Sequence, residues 1–324
     1  MIYRLLRWIS GIALHWFYRE IRAVGLENIP ATGPLLIAAN HQNALVDSLI
    51  AGWIIPRRIT MTAKATLVEN PLIAALFRAV GILPLRRVSD ESAKADGSPM
   101  DRTRNANSFR EILKTLKNDG AVLIFPEGKS HNESGLEPLR TGLARLALQA
   151  RDNQSIRDVR ILPVGLIFED KGEPGSVVGV RVGKPVDMDG WTDSNAATLT
   201  EEIAKRLRAV SERAGLPPEP RSVINREESF LTNWLVAEAA AWGHLTHELP
   251  IRVARTLALK RSTDADHPAM FTIMFGVGLV LITYALQIAV IGALAHSVWV
   301  SVLYLASLLI GAYWAAFEKH PHAY

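Results

Sequence analysis

From His267 to Phe317 the chain contains no Asp, Glu, Lys or Arg. Nothing else in the sequence limits its folding as much. A helix crosses the hydrocarbon core of a bilayer in about 20 apolar residues, so the run accommodates two helices, 271–290 and 298–317, joined by a tight turn near Gly292–His296. A water-soluble fold would have to bury both as a core hairpin, and the length of the charge-free run points instead to a membrane. Arg252, Arg255, Lys260 and Arg261 precede the first span, Lys319 follows the second, and the turn has no basic residue. Basic residues are retained on the cytoplasmic side, which predicts that both ends of the hairpin face the cytoplasm.

The other end of the chain, "MIYRLLRWISGIALHWFYREIRAVG", does not read as a signal peptide. His15 interrupts the apolar stretch, no small-residue cleavage site follows, and Arg19, Glu20 and Arg22 come directly after it. On a helical wheel Arg4, Arg7, Gly11, His15, Arg19 and Arg22 form one stripe, with Trp8, Ile9, Ile12, Trp16 and Phe17 around the rest. Residues 1–24 therefore read as an amphipathic helix suited to a membrane interface, or else to packing on the protein's own core. The formal charge of +4 suits an anionic surface or substrate, and no aromatic-basic module for nucleic acid is present. The absence of cysteine excludes thiol catalysis, disulfides and cysteine-ligated zinc.

Between the two ends, short apolar runs alternate with helical patterns. Residues 34–40, 58–63, 81–85, 121–126, 160–168 and 177–183 read as strands. Helical patterns cover 47–55, 70–79, 103–118, 138–151 and 195–214. This is the signature of an α/β fold with a largely parallel sheet flanked by helices. "GLPPEP" (215–220) marks a boundary. The expected organisation is the N-terminal helix, a catalytic domain over 25–215, a linker and long helix over 216–266, and the transmembrane hairpin and tail over 267–324.

Ligands and catalytic groups of open α/β sheets gather outside the carboxyl ends of the strands. Asn40 and His41 follow the first predicted strand, Arg86 and Arg87 the third, and "EGKS" (127–130) the fourth, while Gly165 lies within the fifth. If the strands are parallel, these groups converge. His41 is the candidate general base, because imidazole titrates close to neutral pH. Asp47 is its candidate orienting acid, but six residues turn a helix by about 240°. The two can meet only if His41 lies on the loop and Asp47 opens the helix, and Asp47 read alone is equally an N-cap. Arginine forks suit phosphate, although paired arginines are commonly just solvated. Glu127 is placed to orient a hydroxyl or hold an arginine. Ser130 raises a rival acyl-serine scheme, but no G-x-S-x-G elbow exists in the chain. His244, His247 and Glu248 miss the H-E-x-x-H order of metalloproteases and read as a polar helix face. His320 and His322 have no carboxylate cluster nearby, so no metal site is expected.

Taken in order, these blocks resemble the glycerolipid acyltransferases, the glycerol-3-phosphate and 1-acylglycerol-3-phosphate O-acyltransferases, over roughly residues 25–190. Asn40–His41…Asp47 is similar to the family's first motif, "GILPLRR" to its second with Arg87 as the motif arginine, "FPEGKS" to its third, and "ILPVGL" to its fourth. Lys64 and Arg140 stand at further basic positions. Five residues separate His41 from Asp47 where most of the family has four, and the longer spacing resembles the fungal-type glycerol-3-phosphate/dihydroxyacetone-phosphate enzymes. The resemblance implies direct transfer of a fatty acyl group from acyl-CoA or acyl carrier protein to a hydroxyl of a glycerol-phosphate-type acceptor, with no metal or bound cofactor. His41 and Asp47 would be catalytic. Asn40, Lys64, Arg86, Arg87, Glu127, Gly128, Ser130 and Arg140 would bind substrate. A different lysolipid acceptor and an inactive membrane scaffold are the competing readings.

Overall fold

The computed structural model describes residues 2–64, 82–85, 106–133, 135–152, 154, 156–212, 215–218, 230–262, 264 and 267–317. Its centre is a sheet in the order β1 (Glu20–Val24), β7 (Val177–Val182), β6 (Arg160–Phe168), β2 (Leu35–Ala39), β5 (Ala121–Ile124), β3 (Ile59–Lys64), β4 (Leu83–Leu85). A two-residue strand, β8 (Val186–Asp187), also pairs with β6. From β6 through β4 every pair is parallel, whereas β7 and β8 run antiparallel to β6 and β1 follows β7. The largely parallel α/β sheet expected from the alternation is therefore present. β1 and β8 are additions to it, and the helical pattern at 70–79 lies outside the described residues.

Side-chain alternation along β2 divides the core into two. Leu35, Ile37 and Ala39 point to one face, where they meet α1 (Ile2–Phe17) and α2 (Ala44–Ile54). Leu36 and Ala38 point to the other, covered by α3 (Ala106–Lys117), α4 (Gly142–Asp152) and α5 (Ala196–Ser211). A strand covered on both sides must be apolar at every position, and all five residues of "LLIAA" are buried.

Two features of the N-terminal segment differ from the wheel. The helix stops at Phe17, and Arg22 lies on β1, where its guanidinium pairs with Glu20 at 2.7 Å. The stripe of Arg7, Gly11 and His15 also turns toward protein. A Cβ on Gly11 would lie 2.3 Å from the Trp53 ring, Arg7 donates to the Trp53 carbonyl, and His15 packs on Trp53 and Phe317. Ile2 and Leu5 are the large apolar residues it leaves exposed.

The C-terminal region consists of α6 (Phe230–Arg261), α7 (His267–Ala295) and α8 (Val298–Phe317). The last two are long and apolar enough to cross a membrane, and only 6% and 28% of their most apolar windows are buried. A core hairpin would bury most of both, and here Leu281, Leu286, Leu294, Trp299 and Leu303 are exposed. α6 packs along both helices and meets α8 backbone to backbone, so closely that a Cβ on Gly243 would lie 2.0 Å from the Gly311 carbonyl oxygen. His247, expected on a polar face, is buried there against the Tyr284 hydroxyl, while His244 is exposed beside the Trp16 ring. The base of the hairpin belongs to the core of the α/β sheet. Ala269 and Ile273 complete the core beneath α1 and α2, and Phe317 returns to the same place.

Candidate active site

β2 and β5 are parallel neighbours, so the residues following each emerge side by side at one edge of the sheet. His41 leaves β2 and Glu127 leaves β5, and the two meet: the His41 backbone N–H donates to Glu127 Oε1 at 2.6 Å. The His41 ring stacks on Phe125 with centroids 4.0 Å apart and 13° between planes. Nδ1 lies 2.9 Å from Asp47 Oδ2. A carboxylate acceptor fixes Nδ1 as the protonated nitrogen. Nε2 has no protein partner among the described residues, and the side chain keeps 9% of its surface exposed. The result is an imidazole anchored through Nδ1, with Nε2 left open.

Asp47 is not the N-cap. Asn43 holds that position, and Asp47 sits in the first turn of α2. Its Oδ2 reaches back to accept the Asn43 backbone N–H at 2.7 Å as well as the histidine. That reach resembles a capping box, in which the residue at N3 bonds the N-cap N–H, but here it comes from one position further along. Within the five residues between His41 and Asp47, Ala44 has a φ of +43°, in the left-handed region. Asn43 is thereby turned inward and fully buried, its amide donating to the Tyr18 hydroxyl and the Lys171 carbonyl, both at 2.9 Å. A left-handed alanine costs about 1–2 kcal/mol, partly offset in a glycine variant by roughly 0.5–1 kcal/mol of chain entropy. Ala44→Gly is therefore expected to raise stability by about 0.5–1 kcal/mol, measured by denaturant unfolding in detergent, and Ala44→Val to lower it.

The remaining site residues separate into those that hold the loop and those that face outward. The Asn40 amide is engaged on both sides with the backbone of Leu166, donating to its carbonyl at 2.9 Å and accepting from its N–H at 2.7 Å. It therefore extends the β2–β6 pairing by one rung. Gly165 is a packing glycine, since a Cβ there would lie 2.4 Å from the Val210 carbonyl oxygen. Glu127 is buried, and its Oε2 accepts from the Glu137 N–H at 2.8 Å and from His131 Nε2 at 2.5 Å. Sequence reading missed His131, although a histidine four residues after a carboxylate at a strand end was the available signal.

Gly128 has a φ of +81°, and Arg140 lies across it. The Arg140 Nε donates to the Glu127 carbonyl at 3.4 Å, and the exposed guanidinium has no carboxylate partner among the described residues. Ser130 is half-buried beside this turn. Lys64 ends β3, but its side chain lies outside the described residues, as do Arg86 and Arg87, which follow β4. Three strand spacings of about 4.8 Å put the end of β4 roughly 14 Å from β2 along the same edge. Among the described residues no group of three His, Asp or Glu side chains is arranged to hold a metal.

A buried imidazole–carboxylate pair thus stands at the carboxyl edge of the parallel strands, beside a glycine turn crossed by an arginine. Residues 20–167 match the family model described as Acyltransferase. The chain is 24% identical to glycerol-3-phosphate O-acyltransferase 1 of Saccharomyces cerevisiae over 58% of its length and 35% of the yeast protein's. It is 25% identical to the 1-acyl-sn-glycerol-3-phosphate acyltransferase of Haemophilus influenzae over 62% of its length and 83% of that protein's. It thus spans about a third of the yeast relative. The crystal structure of the 1-acyl-sn-glycerophosphate acyltransferase from Thermotoga maritima aligns with a TM-score of 0.48 and 22% identity, covering 63% of this chain and 77% of that one.

Proposed function

We propose that the protein is a membrane-attached O-acyltransferase that moves a fatty acyl group from acyl-CoA or acyl carrier protein to a hydroxyl of a glycerol-phosphate-type acceptor, on the route to phospholipids. The observation that carries this reading is the His41–Asp47 pair with Nε2 left open. In the proposed reaction Nε2 takes the acceptor's hydroxyl proton while Asp47 stabilises the imidazolium through Nδ1–H. The acceptor oxygen attacks the thioester carbonyl. The tetrahedral intermediate collapses, the C–S bond breaks, and His41 returns the proton to the departing thiolate. The product is an ester and a free thiol, so atoms and protons balance without a covalent enzyme intermediate.

Arg140 at the Gly128 turn, with Arg87, Arg86 and Lys64 from the neighbouring strands, would bind the acceptor phosphate. The hairpin supports membrane attachment, since α7 starts and α8 ends at the catalytic domain and their exposed faces are apolar. Together with the basic residues before α7, this supports a catalytic domain on the cytoplasmic side.

The test offers purified protein glycerol-3-phosphate, dihydroxyacetone phosphate and lysophosphatidate side by side, each with acyl-CoA and with acyl carrier protein. Turnover of none of them would overturn the reading and favour an inactive scaffold. Charge-assisted hydrogen bonds contribute about 1.5–3 kcal/mol, so Arg87→Ala is expected to raise KM for the phosphate acceptor by roughly 10- to 100-fold with a smaller change in kcat. An unchanged KM would point to an acceptor without a phosphate monoester.

A further inference from the structure

The residues between β2 and α2 have no regular structure, yet a general base must be held to within about 0.5 Å of its working position. We propose that His131 and Lys171 clamp this loop from behind and are positioning residues for His41, a role that rests on His41 being the base. The carbonyl of His41 accepts the His131 backbone N–H at 3.2 Å, and its N–H is held by Glu127. The turn carrying Glu127 and His131 therefore grips both sides of the same residue.

Glu127 can do this only while its own charge is compensated. Its side chain is completely buried, and a buried carboxylate requires donors. His131 Nε2 and the Glu137 N–H supply them at Oε2, leaving Oε1 for His41. His131 is not a second base. Its Nε2 is engaged by Glu127, its Nδ1 is buried without a partner, and 4% of its side chain is exposed.

Lys171 grips the next peptide. It lies on the loop between β6 and β7, which sequence reading did not single out. Its ammonium donates to the Gln42 carbonyl at 3.0 Å, the His131 carbonyl at 3.3 Å and Asn132 Oδ1 at 2.8 Å. One cation thus ties the catalytic loop to the turn that supplies Glu127. The Lys171 carbonyl in turn accepts from Tyr18 Oη at 3.1 Å and from Asn43 Nδ2. Burial, reinforced by the charge of Asp47, pushes the Tyr18 hydroxyl well above its usual range, so it stays a donor.

The full chain in detergent or nanodiscs provides the test, with His131→Leu, His131→Gln and Lys171→Met compared to wild type. Glutamine places an amide N–H near the position of Nε2 and leucine does not. A displacement of about 1 Å at a reacting group costs on the order of 100-fold. His131→Leu and Lys171→Met are therefore expected to lose 10- to 100-fold in kcat, with KM for acceptor and donor within about threefold, and His131→Gln to regain most of the loss. A second readout needs no substrate: carbethoxylation of His41 by diethyl pyrocarbonate, followed by mass spectrometry, is expected to run several-fold faster in the leucine and methionine variants. Unchanged kcat, an effect confined to KM, or equal losses in the glutamine and leucine variants would each overturn the clamp. If wild-type protein turns over no acceptor, the functional reading fails and the carbethoxylation rates alone decide: faster labelling supports the clamp, equal labelling overturns it.

Discussion

His41→Ala is expected to lower kcat for acyl transfer by about 1,000-fold or more, within the 10²- to 10⁴-fold range of a general base, while Ser130→Ala keeps most of the wild-type rate. The alanine variant has a second effect. It leaves the Asp47 carboxylate buried without its imidazole partner, and breaking a buried pair from one side costs about 3–5 kcal/mol. Loss of activity alone would therefore not separate chemistry from unfolding. His41→Asn separates them, because its amide N–H can occupy roughly the place of Nδ1–H and keep the bond to Asp47. We expect His41→Asn to melt close to wild type and to be as inactive as the alanine variant. A covalent acyl-Ser130 adduct trapped with labelled thioester, or an active His41→Asn enzyme, would overturn direct transfer.

Asp47→Asn should cost nearly as much for a subtler reason. Oδ2 accepts from two donors at once, the His41 ring and the Asn43 N–H. An amide NH2 at that position would face both donors, and the ring would have to turn its lone pair toward it. The proton then sits on Nε2, where the base must be empty. With the amide reversed, the NH2 occupies the place of Oδ1, which is buried and has no partner. The first arrangement removes the base and the second costs stability. We expect kcat to fall by about 100- to 10,000-fold with acceptor KM little changed, read from steady-state kinetics over a full acceptor titration. Groups that act as one unit are non-additive, so the His41→Asn/Asp47→Asn double variant should be no worse than the slower single one. Additive losses would show that the two residues work separately.

Much of the fold was legible because its strands are buried on both faces and read as unbroken apolar runs. "LLIAA" and "AVLI" are buried at every position. β1 was hidden because Arg19 and Arg22 continue the helical spacing of Arg4, Arg7, Gly11 and His15, and no breaker stands between Phe17 and Glu20. His247 was misread because the face of a helix that turns inward depends on what packs against it. Within the site, sequence supplied the residue types, and the sheet register supplied their partners. Nothing local reveals that Glu127 serves the backbone of His41, a contact that exists because β2 and β5 are neighbours. That Asn43 and not Asp47 caps α2 was hidden for a local reason, since alanine gives no sign that it will adopt a left-handed backbone.

The base of the α7–α8 hairpin sits inside the core of the α/β sheet, with Ala269 and Ile273 beneath α1 and α2 and Phe317 against His15 and Trp53. An anchor joined this way is a pedestal, not a tether. For a hairpin set in a bilayer, the height and tilt of the sheet's reactive edge above the lipid plane are built into the fold. On the function proposed above, an acceptor and an acyl chain would each have to reach the level at which that hairpin sets the edge.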